Sequence, residues 1–456
     1  MSTHSASKTE RLGTEGIGKL LWEMSSQTTF SLLVYAIYSI TDTYFLSVGV
    51  NALAAAGASI ISPVLMALGG VATIVGVGGA SVVSRALGQK NVMRASRTVA
   101  NTHLIFWTVA LSISVFGALL ITPIVFWLGA TASIAPYAIE YGRIIFLGAI
   151  TSTGFSAIVR ADGNVRYSTA LWVIPVGVNV VLSWLFVMVL GMGAAGAALA
   201  TVIGQAVSAG MSAYFFFFRK GRTYDVRAIY FRPDKAIMGE VLLIGLPSFL
   251  KSISAGIVVI ITNNLLRTLG GDSALSVFAI VGRLYAALGI PQSGIVQGMQ
   301  PLVGYNFGLA HFDRVRQTLT LALRTTVVYG LLVAGICWLI PGALIALLSQ
   351  EPVILAEGQT ALRWLALAYP LGGVAVLTAA YFQSLGRARQ ALWLTLGGML
   401  LVKIPVLLLA STLFGLNGIW AAEAVSELIL CTVSLLLLRS HHVNSRLRRS
   451  VDLIQP

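Results

Sequence analysis

Apolar runs of about twenty residues or more, separated by short polar breaks, recur along the whole chain, and one helical crossing of a bilayer needs about that length. They number twelve: 20–46, 53–84, 98–127, 138–159, 168–190 and 194–218, then 240–266, 274–307, 319–348, 354–384, 391–414 and 418–438. The pattern predicts an all-α polytopic membrane protein with twelve transmembrane helices. Several runs exceed the minimum, which allows tilt but fixes no angle.

The polar breaks alternate in character. One set carries most of the 30 Lys and Arg residues: Lys8, Arg11 and Lys19; Arg85, Lys90, Arg94 and Arg97; Arg160 and Arg166; the break after 218; Arg314, Arg316 and Arg324; Arg387 and Arg389; and Arg439 onward. The opposite set holds almost none, with Arg267 the main exception. Cytoplasmic loops are the basic ones, so both termini are expected in the cytoplasm, and an even number of crossings agrees. The first nineteen residues are polar and mixed in charge, which reads as a tail and not as a signal peptide.

The longest interior polar stretch is RKGRTYDVRAIYFRPDK, beginning at Arg219. It divides the chain into a tail (1–19), an N-terminal six-helix bundle (20–218), a linker (219–239), a C-terminal six-helix bundle (240–438) and a second tail (439–456). The halves repeat. Gly88 matches Gly308 and Arg94 matches Arg314 at one spacing, and further on Gly163 matches Gly386. Two parallel repeats of six spans predict two pseudo-symmetric bundles around a V-shaped central cleft, the layout of an alternating-access transporter.

Candidate chemistry is sparse. Asp42 lies within the first span, with no basic residue between Lys19 and Arg85. Tyr38, Tyr35 and Ser31 lie four, seven and eleven residues before it and share its helical face. A carboxylate within hydrocarbon is costly unless it faces a cavity or a partner; the plain alternative is a cap at the outer helix end. The repeat sets Asn264 opposite Asp42, so the acid exists in one half only. The second half carries Lys251, Arg283, Arg363, Lys403, Glu423 and Glu427 within its spans. Lys403 and Glu427 fall at similar depth on the last two spans, so an ion pair there is expected, either structural or linked to proton movement.

Composition narrows the classes. The chain of 456 residues is 57% hydrophobic and 10% charged, with mean hydropathy +0.86. A net charge of +14 might suggest nucleic acid, but it is spread over alternate loops and not gathered in a patch. Cys337 and Cys431 sit in apolar runs and read as free thiols, with no metal motif. The glycine-rich run GGVATIVGVGGAS lacks the phosphate-loop pattern and reads as close helix packing. No cofactor is implied. Trp22, Trp107, Trp127 and Trp420, near span ends, suit the interfacial belts. A membrane enzyme would need paired catalytic groups at one depth, and His103 is the one histidine inside a span.

Four stretches resemble the multidrug and toxic compound extrusion (MATE) family: ITDTYFLSVGVNALAA, ASVVSRALGQKNVMRASRT, GLPSFLKSISAGIVVIITNNLL and QGMQPLVGYNFG. The last resembles the helix 8 motif of the family's prokaryotic branch and is the most specific. The resemblance covers residues 20–438. It implies export of amphiphilic organic cations or drugs against an inward proton or sodium gradient, from a monomer in the bacterial inner membrane among its lipids. It also implies a cation and substrate site in the N-terminal bundle. The matching positions are Asp42, Asn179, Ser183 and Thr201; Tyr35 and Tyr38, on the face of Asp42, add rings that can hold a flat cation. Asp42, Asn179 and Thr201 are the oxygens implied for sodium, if sodium is the coupling ion.

Two departures matter. Ser183 stands where relatives carry a second acid, which leaves one formal charge and favours a proton as coupling ion. Gln27 stands where many relatives carry the helix 1 proline. A lipid-linked sugar or lipid flippase of the same superfamily is the alternative reading; such flippases tend to carry many cleft arginines and two extra helices.

Overall fold

The computed structural model describes residues 8–152, 155–219 and 222–452, and the side chains of these except 52, 62, 64, 67, 68 and 442–452. The outermost parts of both predicted tails, and Lys220 of the linker, lie outside the described residues. Among the described residues there is helix and no strand.

Among the described residues nine helices are long and apolar enough to cross a membrane, and the bent pair Pro352–Ala366 with Ala368–Ser384, kinked by 42°, makes a tenth. Two of these long stretches are broken by a glycine with left-handed backbone, Gly271 (φ 63°) and Gly415 (φ 57°). Only glycine adopts that conformation freely, so each break is the junction of two helices, and the crossings among the described residues then number twelve. We label them in order. The first three are α1 (Ile17–Gly49), α2 (Ala52–Gly88) and α3 (Val92–Leu119). Then come α4 (Ala135–Leu147 and Ser156–Ala161), α5 (Val165–Ser183, extended by Trp184–Val189) and α6 (Gly193–Ala213, extended by Tyr214–Phe218). Next are α7 (235–270), α8 (272–288 and Ile290–Gly308) and α9 (Phe312–Leu339). The bent pair is α10, and α11 (388–414) and α12 (416–452) complete the set. The tails are partly helical too. Arg11–Thr14 form a short turn ahead of α1, and α12 continues through residues 439–452.

The sequence repeat reappears in backbone detail. Lys90 (φ 57°) and Ala310 (φ 59°) occupy the same left-handed position in the turns that follow α2 and α8. Gly163 (φ 79°) and Gly386 (φ 75°) do so in the turns that follow α4 and α10. Side-chain oxygens of Asn51 and Asn91 cap α2 and α3, accepting from Ala54 N (2.8 Å) and Arg94 N (2.9 Å).

The chain forms two compact units. One contains the chain through Phe249 together with Gln300–Val315 and Ser384–Gly386; the other holds the remainder. The first unit thus takes in the start of α7 and the end of α8, beyond the six predicted spans. Glycine explains the α7 boundary. A Cβ on Gly78 would lie 2.0 Å from the Val241 carbonyl, and one on Gly245 would lie 2.1 Å from that of Ile74. The glycine-rich run of α2 is therefore a backbone-to-backbone seam with α7. The core of this unit joins Leu46, Ile61, Tyr141, Phe146 and Val187; that of the other joins Leu266, Val281, Cys337, Leu362 and Tyr369. Trp22 (75% exposed) and Trp127 (86% exposed) stand out at helix ends as expected. Trp420 does not: it is buried and stacks on Phe278.

Gly78→Ala is expected to lower the thermal midpoint of the detergent-purified protein by several degrees, because overpacking typically costs about 1–3 kcal/mol. Gly69→Ala, where a Cβ meets nothing within 4 Å, should leave the midpoint unchanged. Thermal melts of the two variants check this.

Candidate functional site

The site in the first unit starts from a proline. Pro175 lies inside α5 and has no N–H to give the carbonyl four residues earlier. That carbonyl, Leu171 O, accepts from Ser208 Oγ of α6 at 3.0 Å. Gly204 of α6 sits where a Cβ would come within 3.0 Å of Pro175 O, so its lack of a side chain lets α5 lie close. One helical turn beyond Pro175 is Asn179, and nearly one turn before Gly204 is Thr201. The close approach brings them together: Asn179 Nδ2 donates to Thr201 Oγ1 at 3.2 Å. Both are buried, as is Ser183 one turn further along α5. Immediately after Ser183 the helix widens into a π turn, Trp184–Val189, a feature often found at functional sites.

α1 supplies the third wall. Tyr38 Oη lies 3.3 Å from Thr201 Oγ1. The Tyr35 and Tyr38 rings are 5.7 Å apart, and Trp172 of α5 meets Tyr35 edge-on at 5.4 Å. Asp42 lies on the same face, half-buried. Its Oδ1 is enclosed yet receives no hydrogen bond, and the enclosed Ser183 Oγ likewise has no partner. Among the described residues no Lys, Arg or His lies within 4.0 Å of the Asp42 carboxylate. The six predicted site residues thus fall on the three neighbouring helices α1, α5 and α6, with Thr201 bonding Tyr38 and Asn179.

Two members were not legible in the sequence. Tyr141 of α4 is 2% exposed, interacts with Thr201, and lies within electrostatic reach of Asp42, Tyr35 and Tyr38. Trp172 completes the aromatic wall. Tyr141 shares α4 with Tyr137, Glu140 and Arg143, and only the packing of α4 against α6 marks it out. Chemically the site offers one carboxylate, three phenols and three polar side chains, Asn179, Ser183 and Thr201, beside aromatic faces. Asp42, Asn179 and Thr201 each carry a side-chain oxygen. Among the described residues no group of three or more His, Cys, Asp or Glu is placed to hold a metal ion.

The MatE family profile matches residues 28–185 and 247–409, segments that carry all the site residues of α1, α4 and most of α5. The chain belongs to the MATE family. It is therefore a multi-pass membrane transporter. Curated relatives include the multidrug export protein MepA of Staphylococcus haemolyticus (strain JCSC1435), 25% identical over 93% of this chain and 94% of that protein. MepA of Staphylococcus aureus (strain NCTC 8325 / PS 47) is 25% identical over 92% and 93%. Among solved structures, a MATE transporter crystallised in a bent conformation superposes with TM-score 0.90 at 23% identity, over 97% of this chain and 98% of that one. The outward-facing structure of a multidrug-resistance MATE transporter gives TM-score 0.88 at 24% identity, over 97% and 98%. These structures establish the shared fold, twelve helices in two bundles.

In the second unit of this MATE protein, Lys403 Nζ lies 2.6 Å from Glu423 Oε1 and 2.7 Å from Glu427 Oε1. Lys403 closes a π turn, Met399–Lys403, just ahead of Pro405; the proline cannot donate to the carbonyl four residues back, and the backbone widens there. Glu427 is buried, and its Oε2 has no hydrogen-bond partner. It faces Gly372 of α10, where a Cβ would lie 3.1 Å from that oxygen. Lys251 of α7 lies within electrostatic reach of Lys403 and Glu427.

Proposed function

We propose that this MATE protein exports amphiphilic organic cations from the bacterial cytoplasm across the inner membrane, by alternating access, in exchange for protons. The reading rests on one observation: Oδ1 of the half-buried Asp42 is enclosed without a donor, no basic side chain among the described residues pairs with the carboxylate, and the Tyr35 and Tyr38 rings share its helix face. Burial favours the neutral form of any carboxyl, so one such group alternates between attracting a cation and holding a proton. The rings of Tyr35 and Tyr38 add cation–π attraction, worth about 0.5–2 kcal/mol. The name of the MepA relatives, multidrug export protein, agrees with a drug-like cargo.

The proton is favoured over sodium by the donor set. Ser183 stands where a second acid would supply charge, and Thr201 already accepts from Asn179, so a sodium ion would find a single formal charge. In proteoliposomes of the purified protein, uptake of a fluorescent lipophilic cation is expected when the lumen is acidic, with or without sodium. Transport that follows an imposed sodium gradient and ignores the proton gradient would overturn the choice of ion.

A further inference from the structure

At the exit of α6, three guanidinium nitrogens are buried with no hydrogen-bond partner among the described residues. Arg219 stacks over Tyr167 (5.3 Å) and Phe215 (5.2 Å), and its Nη1 is buried without a hydrogen-bond partner. Arg222 has a side chain only 10% exposed, and both its Nε and Nη1 are buried without a partner. Its Nη2 reaches only Phe217 O at 3.5 Å and the exposed Asp225 at 3.8 Å. The hydroxyl of Tyr224, 2% exposed, is also unpartnered. Buried guanidinium groups are rare without a counter-charge, because losing water costs them several kcal/mol.

The buried acid nearby is already taken. Asp162, in the turn between α4 and α5, receives Thr9 Oγ1 at 2.8 Å and Asn164 Nδ2 at 2.8 Å, and Thr223 bonds it as well. Burial raises its carboxyl to about 6, while those hydrogen bonds and the Arg219 charge pull the other way. It makes no ion pair with either arginine. The surroundings remain positive: burial, then the charges of Arg219, Arg166 and Arg11, hold the Lys8 ammonium below its ordinary value, with Asp162 opposing.

We propose that Arg219, Arg222 and Tyr224 form a binding site for a phosphate group. Four donor atoms on three side chains, all buried and all unpartnered, suit an anion with several acceptor oxygens, and guanidinium is the group best matched to phosphate. A carboxylate offers fewer acceptors. The neighbouring Tyr214 (54% exposed) and Phe218 (74% exposed) turn apolar surface outward beside the site, as suits an edge that touches lipid. The phosphate can therefore come from an anionic lipid headgroup or from solution, and either source meets the same donors.

The test uses the delipidated full chain in neutral detergent and reads the thermal midpoint. The probes are dioctanoyl phosphatidylglycerol, inorganic phosphate, and sodium chloride at matched ionic strength. Each is added to wild type, Arg222→Met and Arg219→Met. Without probe, Arg222→Met is expected to melt no lower than wild type, because it removes two buried nitrogens that have no partner among the described residues and gives up only a long bond to Phe217 O and a 3.8 Å pair with the exposed Asp225. With probe, wild type is expected to gain several degrees, and the concentration for half the shift is expected to rise at least tenfold in Arg222→Met. A shift with the lipid alone assigns a headgroup site; a shift with inorganic phosphate alone assigns a soluble ligand. No shift beyond the chloride control, or equal shifts in wild type and both variants, overturns the proposal. If Arg222→Met fails to fold, Arg219→Met supplies the same comparison; if both fail, titration of wild type against chloride decides.

Discussion

Asp42→Asn is expected to abolish export of a lipophilic cation while leaving the protein folded. The carboxylate makes no ion pair and its Oδ1 receives no hydrogen bond, so the substitution breaks no internal contact, and the thermal midpoint should stay at the wild-type value. What disappears is charge. A cationic centre about 4 Å from a carboxylate gains about 4 kcal/mol where the effective dielectric constant is near 20, roughly a thousandfold in affinity. The amide also cannot take up and release a proton. Asp42→Glu keeps both properties with an altered reach and should retain part of the activity. Tyr38→Phe keeps the ring and loses only the contact with Thr201, so its effect should be mild. Efflux assays in cells, paired with melts of the purified variants, check the series.

Lys403→Met is expected to destabilise the second unit by about 3–5 kcal/mol, the usual cost of removing one partner from a buried ion pair. It would leave Glu423 and Glu427 adjacent without the ammonium that lies 2.6 Å and 2.7 Å from them. Glu427→Gln keeps Lys403 paired with Glu423, so it should fold well and transport at the wild-type rate. That outcome makes the cluster a clamp between α11 and α12. Glu427→Gln with normal stability and no transport would instead give the cluster a part in coupling. Melting curves and proteoliposome uptake on the two variants separate these cases.

The fold was legible because a bilayer leaves few choices. Every backbone polar group in hydrocarbon must be satisfied within its own helix, so runs of apolar residues translate almost directly into crossings. The twelve runs recur as α1 to α12, even where two crossings follow each other as one long helical stretch broken at Gly271 or Gly415. The division into units was less legible. The α2–α7 seam depends on Gly78 and Gly245 facing each other's backbone, a match between distant segments that no local pattern encodes. At the site, helical periodicity put Tyr35, Tyr38 and Asp42 on one face, and the family resemblance supplied Asn179, Ser183 and Thr201. Tyr141 had no such signal, since nothing in the α4 sequence separates it from the neighbouring Tyr137 as the ring that reaches the site. The unpartnered donors at Arg219 and Arg222 were equally hidden. In the sequence they belong to a basic loop, and basic loops are explained by membrane orientation alone.

The central claim is that a cation and a proton compete for Asp42. Its most direct test is calorimetric titration of purified wild type and Asp42→Asn with a lipophilic cation, in buffers of different ionisation enthalpy. Wild type is expected to release a proton as the cation binds, and the variant to bind weakly with no release. Equal affinity in the two proteins, with no proton released by either, would contradict the account and place cation recognition elsewhere in the molecule.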